Sequence, residues 1–243
     1  MKTLSNWYYC LMSMFLKSYK TYFTDKKFIV SFLVAIFFLA ISLVIQFYAG
    51  TYATESASSP VTDIVLSNIQ TFDLDGIFVY GSLALLLFGI FITIWRPKQM
   101  PFVVKSVAMF ILVRSFFISL THIGPFPTQI IIHSDWLSKL TFGGDLFFSG
   151  HTGLPFLLAL IFWHNKIVRN IFLSFSIFFA AVVLMAHMHY TIDVVSAYFI
   201  TYTIFHICER LFKKDRLLFF TENTDDLINT KLIAMVTSIS PFR

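Results

Sequence analysis

Residues 28–49 read FIVSFLVAIFFLAISLVIQFYA, without a single Asp, Glu, Lys or Arg. A run of about 20 apolar residues matches the ~30 Å hydrocarbon core of a bilayer, where a helix satisfies its own backbone polar groups. Five more runs follow, at 77–95, 102–120, 148–164, 167–187 and 190–211. The expected fold is therefore an all-α membrane protein, a bundle of six transmembrane helices over residues 28–214. Composition agrees: 13% of the 243 residues are charged, about half the share of a soluble domain. The first run lacks a small-residue cleavage pattern and is too long for a signal h-region, so it reads as an uncleaved anchor.

Segment 1–27 mixes aromatics with Lys17 and Lys20, as an interfacial helix does. Segment 215–243 is mixed in polarity and reads as a tail. Cys10 and Cys208 stand far apart and read as isolated thiols.

The net charge of +5 could point to nucleic acid, but its distribution points to topology. Lys26 and Lys27 precede the first run, Arg96 and Lys98 follow the second, Lys166 and Arg169 follow the fourth, and Arg210, Lys213, Lys214 and Arg216 follow the last. The intervening loops are nearly free of Lys and Arg; loop 50–76 instead carries Glu55, Asp63, Asp73 and Asp75. By the positive-inside rule both termini are expected in the cytoplasm.

In that orientation FSGHTG (148–153) and AHMHYTIDVVSAY (186–198) meet at the outer face. His189 and Asp193, four apart, share one face if the sixth helix begins near 189. A carboxylate on one imidazole nitrogen fixes the tautomer and leaves the other nitrogen as a lone pair, the arrangement of a nucleophile and its orienter. His151 is a candidate general acid. Ser149, Gly150, Thr152 and Gly153 offer hydroxyls and accessible N–H groups at a helix start, the usual surroundings of an anion. Arg114 falls about 9 Å below the outer end of the third run at ~1.5 Å per residue. There it would meet either a phosphate or a carboxylate such as Asp145 or Asp193. Lys105 lies nearer the cytoplasmic end and is expected to snorkel. His187 and His189 are two apart and would point in different directions on a helix, so no metal site is expected. Together these parts describe phosphoryl transfer without a metal or cofactor.

GGDLFFSGHT and AHMHYTIDVVSAY resemble the two signature segments of the sphingomyelin synthase family, within the type-2 phosphatidic acid phosphatase superfamily. VRSFFISLTHIGPFP (113–127) resembles that family's third-helix segment, and SSPVTDIVLSNI (58–69) its acidic stretch in the first outer loop. The resemblance implies a triad: His189 as nucleophile, Asp193 as its orienter and His151 as the acid for the leaving group. Arg114, Asp145, Ser149, Gly150 and Tyr190 would surround the phosphate. It implies transfer of a head group from a phospholipid donor to a lipid-alcohol acceptor, ceramide or diacylglycerol in class. The alternative is a metal-independent lipid phosphatase that passes the same intermediate to water. Phosphatases of the superfamily carry Lys-x6-Arg-Pro and an Arg six residues before the nucleophile. Here that second position is Val183, and Arg96-Pro97 falls in an expected cytoplasmic loop. A proton-coupled carrier also holds His and Asp in its bundle, but neither half of this chain repeats the other. The Lys-, Ile- and Phe-rich composition reads as bacterial, which would put an integral inner-membrane protein's site outside the cytoplasm.

Overall fold

The computed structural model describes residues 12–13, 15–130 and 146–220, and every described element is helical. Six helices fall on the six apolar runs: α1 (Lys26–Glu55), α2 (Asp75–Trp95), α3 (Met100–Leu120), α4 (Gly150–Ile161), α5 (Lys166–Met185) and α6 (Thr191–Leu211). A short α7 (Lys213–Leu217) follows. Local chemistry sets several ends. Asp25 caps α1 by accepting from Lys27 N, Asn165 caps α5 by accepting from Val168 N, and Pro101 enters α3 in its first turn, where its missing N–H costs nothing.

Of these, α1, α2, α3, α5 and α6 are long and apolar enough to cross a membrane. The chain is an integral, multi-pass membrane protein. The expected fourth span is the exception: α4 has 12 residues, about 18 Å at ~1.5 Å per residue, short of a hydrocarbon core. The chain runs non-helically through 146–149 before it, and Phe162 ends it. Its Pro155 cannot donate to the carbonyl of His151. This short helix is nonetheless the middle of the bundle, with Leu157, Ala159 and Ile161 wholly buried.

α4 packs against α5 and α6, and α1 lies along α3. The core between them is strongly aromatic, with Phe102, Phe148, Phe172 and Phe179 fully enclosed. Consecutive helices alternate in direction. The loops 56–74, 121–130 and 186–190 meet at one end, joined by Ser58 N–H to His122 O, Phe72 N–H to Met185 O and Ile130 N–H to Ala186 O. The connections bearing Arg96, Lys98 and Lys166 lie at the other.

That other end is closed by α7. Lys105 does not reach for water as expected. It is buried and bonds Asp215 of α7 at 2.6 Å and Ser31 of α1 at 2.7 Å. Arg216 donates to Ile161 O, the last carbonyl of α4, and to Glu209, a cation set at a helix C-terminus. These contacts pack α7 against α1, α3 and the end of α4.

Candidate active site

The end of α5 and the start of α6 build the site. α5 closes in a Schellman turn: Met188 N–H reaches Val183 O, and His187 N–H reaches Leu184 O. His187 takes the left-handed position with φ 53, normally glycine's. It is held there by Thr71 and Thr128, whose hydroxyls both reach Nδ1. The turn delivers His189 just before α6. The helix starts at Thr191, not at 189, so the His189–Asp193 pair is not two residues on one helical face. Asp193 is instead the third helical residue and reaches back. Its Oδ2 accepts from Tyr190 N–H (3.0 Å) and from His189 Nδ1 (3.1 Å). One buried carboxylate caps the helix and holds the imidazole. With Nδ1–H donating, Nε2 keeps its lone pair.

His151 arrives from the start of α4. Its ring sits 4.4 Å from that of Phe78 and 5.7 Å from that of Phe179, centroid to centroid. Ser149 precedes it at the helix cap. Its N–H reaches Asp193 O at 3.3 Å, and its Oγ is buried with no hydrogen-bond partner among the described residues. Arg114 is 8% exposed in α3. It donates from Nε to Phe148 O at 2.9 Å and packs over Gly150, where an added Cβ would stand 3.2 Å from Nε. The glycine is what lets the guanidinium approach the start of α4.

These residues share a cavity of about 900 Å³. Arg114, Gly150, His151, Gln129, Met188 and His189 line one end. The rest is mostly apolar, walled by α1 (Phe32, Ile36, Leu39), α2 (Leu85, Leu86, Ile90) and α3 (Met100, Val103, Val107), with Gln46, Ser82 and Thr93 as its polar members. From Arg114 to Met100 is 14 residues of helix, about 21 Å at ~1.5 Å each. The cavity is polar at one end and mostly oily along the remainder.

Tyr190 lies elsewhere. Its hydroxyl donates to Gly124 O and accepts from Val61 N–H, in a cluster with Leu66 and Leu146. It stitches two loops rather than lining the cavity. Asp145 lies outside the described residues. Asp63, legible only through the resemblance, is a hub. It accepts from Val65 N, Leu66 N, Thr191 N and Thr191 Oγ1, tying the first loop to the start of α6. Burial pushes its pKa up, but those hydrogen bonds outweigh it and hold the carboxyl below its ordinary value. Most cavity residues of α1 and α2 carried no sequence signal, being apolar positions in apolar helices. Among the described residues no cluster of His, Cys, Asp and Glu could hold a metal.

Residues 143–210, which contain both histidine segments, match the family described as PAP2 superfamily C-terminal. That match supports the type-2 phosphatidic acid phosphatase superfamily. The match covers that segment of the chain and supports a lipid phosphatase or phosphotransferase type of function with lipid substrates in a bilayer. No curated protein and no solved structure matches the chain.

Proposed function

We propose that the protein is a lipid head-group phosphotransferase, moving a phospho-head group from a glycerophospholipid to a lipid alcohol such as ceramide or diacylglycerol. The observation that carries this reading is the cavity, which joins His151, His189 and Arg114 to an apolar tunnel long enough for lipid chains. In the first step His189 Nε2 attacks phosphorus and the bond to the diacylglycerol oxygen breaks, with His151 protonating the departing oxygen. In the second, the acceptor hydroxyl gives its proton to His151 and attacks phosphorus, and the P–N bond breaks. Asp193 stabilises the charged imidazole of His189. Arg114 and the Ser149–Gly150 turn face the charge that builds on the phosphoryl oxygens.

Charge favours transfer over the phosphatase alternative. Position 183, where phosphatases of the superfamily carry arginine, is a fully buried valine. Among the described residues, Arg114 is the one fixed cation lining the cavity. A single cation suits the monoanionic phosphodiester of an intact phospholipid better than the dianionic phosphate of phosphatidic acid. The basic connections lie at the end opposite the histidines, which supports an outward-facing site under the positive-inside rule. In a bacterial inner membrane that face is periplasmic or extracellular.

The test is purified protein in detergent without divalent metal, given fluorescent ceramide or diacylglycerol with phosphatidylcholine or phosphatidylethanolamine, beside His189→Ala. A phosphorylated acceptor lipid, absent in the variant, is the expected product. Phosphate released from phosphatidic acid with no transfer product would establish the phosphatase instead.

A further inference from the structure

One polar side chain in the cavity has no part in the chemistry above. Gln46 is the only Asn, Gln or charged residue between Phe28 and Ala49 of α1, and it lines the cavity with Arg114, His151 and His189. Its Oε1 is 3.0 Å from Ser115 Oγ, which also bonds Ile111 O of its own helix. Among the described residues nothing pairs with the amide nitrogen of Gln46. The side-chain amide has two N–H hydrogens, and the Ser115 hydroxyl can accept only one of them if the amide is turned over. In either orientation at least one N–H is left for the cavity.

Position says what it would meet. Ser115 follows Arg114 by one residue, ~1.5 Å along the axis, so the Gln46 amide lies level with the α3 backbone that carries Arg114, above the mainly apolar part of the wall. The hydroxyls of Ser82 and Thr93, also in the lining, donate to the carbonyls of Phe78 and Gly89 in their own helix. Gln129 belongs to the loop at the histidine end. A phospholipid bound with its phosphorus at His189 has one kind of acceptor between phosphate and chains, the ester carbonyls on glycerol.

We propose that Gln46, held by Ser115, donates a hydrogen bond to an ester carbonyl of the donor lipid, making the protein selective for acyl over ether-linked phospholipids. This rests on the cavity being the lipid site of the reaction proposed above. Gln46 acts on binding and leaves the phosphoryl chemistry to the histidines.

The experiment compares diacyl with dialkyl-ether phosphatidylcholine of the same chains and head group. Affinity is read by displacement of a fluorescent phospholipid from the His189→Ala protein, so that no turnover intervenes, and kcat/KM is read from the active protein. The ester lipid is expected to bind about tenfold tighter, the worth of one such hydrogen bond, and Gln46→Leu is expected to abolish the difference. Ser115→Ala, which keeps the amide but frees it, is expected to shrink the difference, and it decides the matter if Gln46→Leu does not fold. Equal affinities in the unmodified pocket, or a preference that survives the substitutions, would overturn the assignment while leaving phosphotransfer intact. Failure of both lipids to displace the probe would overturn this assignment and the lipid site it rests on.

Discussion

Asp193 carries two duties that substitution can separate. Asn can place its amide oxygen where Oδ2 accepts both bonds, but it carries no charge to stabilise the imidazolium of His189. Asp193→Asn should therefore lower turnover by about 10³-fold or more with only a small change in Tm. Asp193→Ala should lose the cap as well, costing about 1 kcal/mol of stability; calorimetry beside the transfer assay reads both. Gly150 gives a second separation. A Cβ there meets Arg114 Nε at 3.2 Å, so Gly150→Ala should shift the guanidinium and cut turnover about tenfold while the fold stands. Both histidines, Asp193 and Arg114 were legible in the sequence because a polar group in an apolar run needs a reason. How Asp193 reaches His189 was not, since it depends on where α6 begins.

The turn between α5 and α6 works as an element. It holds His187 in a left-handed conformation against two loops, and it sets the approach of His189 to Asp193. Burial of His187 holds its pKa below the ordinary value, although Asp63 pulls the other way. A histidine depressed in the folded state binds more protons when unfolded. Its contribution is whole above the unfolded pKa, about 6.5, and is lost as pH falls through the folded value. Tm should drop as pH is lowered below about 6.5, and less steeply in His187→Asn, which can still occupy the left-handed position. Equal slopes would take His187 out of the account. Sequence gave no sign of this role: His187 and His189 read as a helical pair, and the Schellman turn that parts them has no glycine to announce it.

At the scale of the molecule, six apolar runs sufficed to reveal a helical membrane bundle, because backbone satisfaction in lipid leaves little else. The short α4 and the inserted α7 were not legible. α4 ends early within a run that stays apolar, and Lys105 and Asp215 look like ordinary boundary charges until the fold brings them together. The cavity was equally hidden, since most of its wall is apolar residues identical in kind to those facing lipid. Gly89 offers a handle on it: it lines the cavity, and an added Cβ would meet only Leu158 Cδ1, at 3.6 Å. It stands 11 residues from Phe78, about 16 Å along α2. Gly89→Leu should fill the oily end, lowering turnover of long-chain phospholipids about tenfold while short-chain ones are little affected.

The most direct measurement of the central claim is of the covalent step. Phospholipid labelled at phosphorus is incubated with the metal-free protein, without acceptor lipid, quenched in base and digested. The account predicts an acid-labile, base-stable label on the peptide bearing His189, absent from His189→Ala and discharged when a lipid alcohol is added. Turnover that persists in His189→Ala, or that proceeds with the label on another residue, would contradict it.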